Sequence, residues 1–227
     1  MLDVSRKELK YTVMTEDVHF LSKRLRAIMD EDSHNGEEGY RVRSLYFDTF
    51  ADEDYQEKID GLDSRKKIRM RIYDGNTDVI KLEMKMKEGD FQRKRSLSLN
   101  LEEAEHMVEG DYLFLLERKE PFAHGLYTML ETRGYLPKCI VEYDRMAFME
   151  EFNDIRITFD MKLRALEEPG DFFAESLELF PVTQPSETTM EVKYNGFLFS
   201  YIKKIVNLAD RPRISSSKYV RARNLVM

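Results

Sequence analysis

Eight short segments of the chain show some patterning with a period of two, most of them alternating apolar and charged residues, as in strands whose successive side chains point to opposite faces. They fall near residues 5–13, 40–48, 65–73, 79–87, 91–99, 139–149, 154–161 and 188–194. In the third, Lys67, Arg69 and Arg71 alternate with Ile68, Met70 and Ile72; in the fourth, Lys81, Glu83, Lys85 and Lys87 alternate with Ile80, Leu82, Met84 and Met86. Between these segments the period lengthens to that of a helix. Thr15 is placed to cap a helix carrying Val18, Leu21, Leu25, Ile28 and Met29, and Asn100 with Glu103 caps a second that ends at Gly110. Residues 122–133 predict a third, ending at Gly134, and residues 197–208 a strongly apolar fourth.

Links such as Asp74-Gly75-Asn76 and Glu88-Gly89-Asp90 are too short for parallel crossovers and read as turns, so successive strands are antiparallel. Residues 165–187, with Pro169, Gly170, Pro181 and Pro185, read as a long excursion. An open sheet cannot both bury its apolar face and hide so many charges from one another, whereas a barrel with helices outside and a wet, charged lumen can. The expectation is an α+β fold: an antiparallel eight-stranded β-barrel, or tunnel, with helices packed outside, as a single domain over residues 1–227.

The polar face of these strands carries the chemistry. Strand by strand it presents Arg6, Glu8 and Lys10; Ser44, Tyr46 and Asp48; Lys67, Arg69 and Arg71; Lys81, Glu83, Lys85 and Lys87; Lys94, Ser96 and Ser98; Arg156, Thr158 and Asp160; Thr189, Glu191 and Lys193. A bulge in the fifth strand would exchange Lys94 for Arg95 as the inward residue. Gathering so many like charges within a Debye length of about 8–10 Å is unfavourable unless an anion neutralises them. Arginine forks and lysine ammonium groups suit phosphate oxygens, and one phosphate cannot engage them all, so the fitting ligand is a chain of phosphates. Glu8, Glu83 and Glu191 are candidates to hold a hard divalent cation, Mn²⁺ or Mg²⁺, that bridges phosphate oxygens. The competing reading is a solvent-facing sheet whose charges pair across strands as Glu–Lys partners.

Composition narrows the classes. Of 227 residues, 35% are charged, above the roughly 25% of ordinary domains, yet the formal net charge is −7. That balance argues against nucleic acid as a partner, so the cations act locally. Acidic residues gather instead at Asp30 to Asp32, Asp52 to Asp54, Glu102 to Glu105 and Glu150–Glu151, in segments that read as helix or loop. The one cysteine, Cys139, rules out an internal disulfide and sits in an apolar strand, where packing is its expected role. No apolar stretch approaches the ~20 residues of a membrane span and no signal-peptide pattern opens the chain, which predicts a cytoplasmic protein. A membrane partner that receives a product is left open. His19, His34, His106 and His124 have no metal-ligand spacing, no glycine-rich phosphate loop occurs, and Ser215 to Ser217 read as a polar turn leading to Lys218.

Seven stretches, in order along nearly the whole chain, carry a family resemblance. They are Arg6-Lys7-Glu8-Leu9-Lys10-Tyr11, Ser44-Leu45-Tyr46-Phe47-Asp48, Ile68-Arg69-Met70-Arg71-Ile72-Tyr73 and Val141-Glu142-Tyr143-Asp144-Arg145-Met146-Ala147-Phe148, followed by Arg156-Ile157-Thr158-Phe159-Asp160, Glu191-Val192-Lys193-Tyr194 and Ser215-Ser216-Ser217-Lys218-Tyr219. With them the chain resembles the triphosphate tunnel metalloenzymes, and within these the polyphosphate polymerase domain of the vacuolar transporter chaperones, which also has bacterial stand-alone versions. The resemblance implies a basic tunnel that grips ATP and polyphosphate. By motif, Lys10, Arg69, Arg71, Lys85 and Arg145 take the triphosphate, Lys94, Lys193 and Lys218 serve neighbouring phosphates, and Glu191 is the metal-binding carboxylate. The wider superfamily resembles a Glu-x-Glu-x-Lys pattern on its first strand, and here Arg6 stands at the first glutamate position. Exchanging a carboxylate for a cation lowers metal affinity and raises phosphate affinity, which tilts the expectation toward a metal-dependent polymerase that moves the γ-phosphoryl group of ATP onto polyphosphate. A triphosphatase using water as acceptor and a binding module without catalysis remain the alternatives.

Overall fold

The computed structural model describes residues 6–89, 91–207 and 210–225. The chain runs β1 (Arg6–Met14), α1 (Thr15–Leu25), β2 (Asp30–Glu31), β3 (Tyr40–Thr49), α2 (Glu53–Ile59), β4 (Ser64–Tyr73), β5 (Asn76–Glu88), β6 (Phe91–Leu99), α3 (Leu101–Glu109), α4 (Pro121–Thr132), β7 (Tyr135–Glu150), β8 (Ile155–Leu166), β9 (Phe180–Pro181), β10 (Glu187–Asn195), α5 (Ser200–Ile205) and α6 (Lys218–Arg223). Eight strands form one sheet in the order β1-β10-β8-β7-β3-β4-β5-β6, with the two-residue strands β2 and β9 added on β7 and β8. Ladders of these strands are antiparallel. The α+β class, with eight antiparallel strands and helices against their apolar face, is the one the alternation predicts.

The residues divide into two compact units: one of Met1–Arg41, Tyr143–Leu163 and Pro181–Ser217, the other of Val42–Glu142, Arg164–Phe180 and Lys218–Met227. Each has its own apolar core. In the first, Tyr11, Val13, Ile157, Phe159, Met190 and Val192 from the strands meet Val18, Leu21 and Leu25 of α1 and Ile202 of α5. In the second, Ile68, Met70, Leu82, Met84 and Leu97 from β4, β5 and β6 meet Ala104 and Met107 of α3 and Leu126 and Leu130 of α4. The same alternation that buries these residues turns the charged ones to the opposite face.

Local expectations hold where the signal is chemical. Asn100 accepts from the Glu103 amide at 2.8 Å while Glu103 reaches back to the Asn100 amide at 3.0 Å, and Gly110 closes α3 in the left-handed region. Asp74 and Gly75 both take positive φ in the tight β4–β5 turn. Gly89 also has positive φ, and Asp90 of the second predicted turn lies outside the described residues. Cys139 is buried, and burial pushes its thiol pKa up, which leaves it inert as a nucleophile.

Other expectations are corrected. Thr15 is not a cap: β1 runs directly into α1, Met14 holds the cap position, and the Thr15 hydroxyl bonds the Pro185 carbonyl and Thr188 instead. That helix stops at Leu25, before Ile28 and Met29. The apolar run at 197–208 yields only Ser200–Ile205 as helix, because Phe197 and Phe199 cluster with Phe152 ahead of it; residue 208 lies outside the described part. The serine run is not a turn but a stretch beside β1, where Arg213 bridges Tyr11 and the Ile214 amide donates to the Lys10 carbonyl. Among the described residues no helix is long and apolar enough to cross a membrane.

Candidate functional site

In the second unit, the β3–β4–β5–β6 register fixes which charges share a face. Directly opposed residues lie on the same side of an antiparallel ladder, so β4, β5 and β6 present four rungs: Arg71–Lys81–Ser98, Arg69–Glu83–Ser96, Lys67–Lys85–Lys94 and Arg65–Lys87–Gln92. Tyr46 and Ser44 of β3 extend the second and first of these. Glu83 is the one carboxylate on them. Its Oε2 accepts from Arg69 Nε at 2.8 Å and Nη2 at 2.7 Å, with Arg71 Nη1 at 3.9 Å, and its Oε1 accepts from Lys94 Nζ at 2.7 Å. Burial alone would raise the Glu83 pKa, but Arg69, Arg71 and Lys94 outweigh it and bring the carboxyl down to about 2. Arg69 Nη1 donates to the Tyr46 hydroxyl at 3.3 Å and Arg71 Nε to Ser44 Oγ at 3.1 Å, which aims both guanidinium groups. Arg95 points away and lies over the Phe122 ring at 4.4 Å, so Lys94 is the inward residue of β6.

The first unit carries a second cluster. Across the β1–β10 ladder Lys10 faces Glu191 and Glu8 faces Lys193; across β10–β8, Glu191 faces Thr158 and Lys193 faces Arg156. Lys10 Nζ lies 3.1 Å from Glu191 and 3.4 Å from Glu8, and donates to the Ser216 carbonyl at 2.9 Å. Lys193 Nζ lies 2.9 Å from Glu191 and 3.9 Å from Glu8. Nearby, Arg145 makes a two-pronged bond to Asp160, Nε to Oδ1 at 2.7 Å and Nη2 to Oδ2 at 2.8 Å, and stacks over Tyr143. Burial opposes the Arg145 charge, but Asp160, with Tyr143 and Glu191, holds the guanidinium protonated well above its ordinary range. Gly39 packs against the backbone of Arg145 at a positive φ, where a Cβ would collide with the Arg145 carbonyl.

The structure thus brings Arg69, Arg71, Lys85 and Lys94 onto one face of the second unit, and Lys10, Lys193 and Glu191 with Glu8 into one cluster of the first. Arg6 pairs with Asn195 in the β1–β10 ladder, but its side chain lies outside the described part. Lys218 is the first residue of α6, and the next residue anchors that helix: the Tyr219 hydroxyl donates to Asp48 Oδ2 at 2.6 Å. Asp48, expected among the inward polar residues, is fully buried and also accepts from the amides of Thr49, Asp54 and Tyr55. It takes the place of a cap for α2, whose cap residue Asp52 makes no side-chain cap bond.

The three expected glutamates fall in two places, Glu83 on the β4–β5–β6 face and Glu8 with Glu191 on the β1–β10 ladder. Among the described residues no group of three or more His, Cys, Asp or Glu side chains is arranged to hold a metal ion. Both oxygens of Glu83 meet cations, Arg69 and Lys94, and those of Glu191 meet Lys10 and Lys193. Glu191 and Glu8 supply hard oxygens, and Thr158, opposite Glu191, has a buried hydroxyl oxygen without a hydrogen-bond partner. That donor set fits Mg²⁺ or Mn²⁺, which bind through few carboxylates and complete their shells with phosphate and water.

Sequence reasoning missed that Asp160 clamps Arg145 and that Asp32 holds Arg156 (2.8 Å). Both acids lie where only strand pairing or loop folding brings them to a cation, and no local spacing signals that.

Comparison with known proteins accords with this fold. Among solved structures, a candidate adenylate cyclase from Bacillus halodurans superposes with a TM-score of 0.56 at 12% identity, covering 94% of this chain and 95% of its own. A candidate adenylyl cyclase from Hippeastrum, reported to have a dominant triphosphatase activity, gives 0.54 at 13% identity over 97% and 96%. At such identities the likeness is one of fold. No curated protein sequence matches the chain. The VTC domain model matches residues 5–227, almost the entire length, and the chain therefore belongs to the VTC domain family.

Proposed function

We propose that the protein is a metal-dependent polyphosphate polymerase that transfers the γ-phosphoryl group of ATP to the end of a polyphosphate chain, with residues 1–227 acting as one domain. The observation that carries this reading is the face of β4, β5 and β6, where cations occupy all four rungs and Glu83 is the lone acid. Membership of the VTC domain family supports a triphosphate substrate.

Phosphoryl transfer asks little covalent chemistry of a protein; it asks for alignment and charge stabilisation. In this reading Lys10, Arg69, Arg71, Lys85 and Arg145 orient the triphosphate, while Lys94, Lys193 and Lys218 hold neighbouring phosphates. An oxygen of the acceptor's terminal phosphate attacks the γ-phosphorus in line, the bond from that phosphorus to the β–γ bridging oxygen breaks, and ADP departs with the electron pair. No side-chain nucleophile is needed. Glu191 and Glu8 would hold Mn²⁺ or Mg²⁺, which when bound offsets charge on the bridging oxygens. Glu83 keeps Arg69, Arg71 and Lys94 in a fixed array, so that little reorganisation is needed when charge moves.

Hydrolysis is the second reading, and the triphosphatase activity reported for the Hippeastrum protein favours weighing it. Incubating the purified protein with ATP and Mn²⁺ and resolving the products by gel separates the possibilities: long chains support the polymerase, free phosphate alone the triphosphatase, and neither product a binding module. Glu191→Gln is expected to cut turnover at least about a hundredfold while the folded state persists, since its carboxylate faces Lys10 and not the core. Normal turnover by that variant would refute the metal assignment.

A further inference from the structure

Taking the phosphate-chain reading as given, we infer that the outermost rung, Arg65 on β4 and Lys87 on β5, is a subsite for distal phosphates of a long chain, beyond the reach of a triphosphate. Four rungs two residues apart extend about 20 Å along the strands, well over the length of three linked phosphates. At the inner end Arg71 and Glu83 are buried, and Glu83 spends both oxygens on Arg69, Arg71 and Lys94.

The outer end differs. Arg65 and Lys87 are directly opposed in the β4–β5 ladder, four residues from the Arg69–Glu83 rung, which is about 13 Å. That exceeds a Debye length of about 8–10 Å, so Glu83 does not neutralise them. On the other face of this end Lys66 of β4 pairs with Asp54 at 2.9 Å and Glu57 at 3.7 Å. Arg65 is also pre-positioned: Nη1 donates to the Leu62 carbonyl at 2.6 Å, which holds the guanidinium at the strand end. Both side chains are half-buried, between the buried Arg71 and Glu83 and the exposed tip at Phe91. Two opposed cations at the end of a basic row are arranged to hold a polyanion that runs on past the inner rungs.

The test is titration calorimetry with two probes, inorganic tripolyphosphate and long-chain sodium polyphosphate, on the wild type, Arg65→Ala/Lys87→Ala and Arg69→Ala. For the double variant the ratio of long-chain to tripolyphosphate affinity is expected to fall about tenfold, the loss of two charge-assisted phosphate contacts. Arg69→Ala is expected to weaken both probes in parallel, with the ratio held within about twofold. A double variant whose ratio equals that of the wild type overturns the subsite, whether both affinities stay or both fall. A wild type that binds neither probe overturns the phosphate-chain reading itself, which is a different failure from the first.

Discussion

Glu83 shows how one side chain sets the character of a site. Placed between Arg69, Arg71 and Lys94, it meets far more positive potential than one carboxylate can offset, and its pKa of about 2 is the result. A carboxyl whose pKa is lower in the folded chain stabilises that state fully above its unfolded value of about 4.5, and the contribution is lost as pH falls through about 2. Glu83→Gln leaves three cations without their counter-ion, so it is expected to reduce stability at neutral pH by about 2–3 kcal/mol. Urea unfolding of both proteins across pH 2 to 7 checks this: the gap between them should be constant above about pH 5 and narrow steadily toward pH 2. A gap independent of pH would mean that packing, not charge, is what the substitution removes. The identity of the cations was readable from the alternation of β4 and β5, but the role of Glu83 was not. Sequence gives the face on which a carboxylate lies; whether it meets a metal or three ammonium and guanidinium groups depends on its cross-strand neighbours.

At the scale of elements, α2 shows what short range cannot reveal. Its seven residues, Glu53 to Ile59, carry no amphipathic stripe long enough to read, and it forms because Asp48 of β3 receives its first amides. The strands, by contrast, were legible to within a few residues, since a half-buried strand prints its period directly into the sequence, as in Lys67 to Ile72. The strand order was not: nothing local in β1 records that it pairs with β10. On α2, Asp54 is buried against Lys66 and Tyr135, and burial with the nearby Asp48 charge pushes its carboxyl up to about 6 despite those two partners. The sign is opposite to that of Glu83. The folded chain keeps a proton that the unfolded chain has lost, so the contribution is full below about pH 3.8 and disappears as pH rises through about 6. Two pKa units correspond to about 3 kcal/mol. Asp54→Asn, uncharged throughout, is expected to lose that part of the slope between pH 4 and 6, which urea unfolding at intermediate pH values measures; an undiminished slope would place the titration elsewhere.

For the molecule as a whole, the sign of its net charge and the sign of its proposed ligand conflict. A chain of formal charge −7 should repel polyphosphate, and if that monopole governed encounter, added salt would screen the repulsion and tighten binding. Cations held on strand faces act over a few ångströms, where the counterions of the bound polyanion are displaced, and salt then weakens binding in proportion to the number of contacts. The two terms have opposite slopes, so one measurement decides between them. The local term is expected to win, because the rungs of β4 and β5 place cations closer to a bound phosphate than any of the acidic runs in α2 or α3, which lie on other faces or beyond the strands. The dissociation constant for tripolyphosphate should therefore rise by about an order of magnitude or more between about 50 mM and about 500 mM salt, while the urea midpoint shifts little. A dissociation constant that fell over the same range would mean that the anion meets the acidic exterior and not the basic strands.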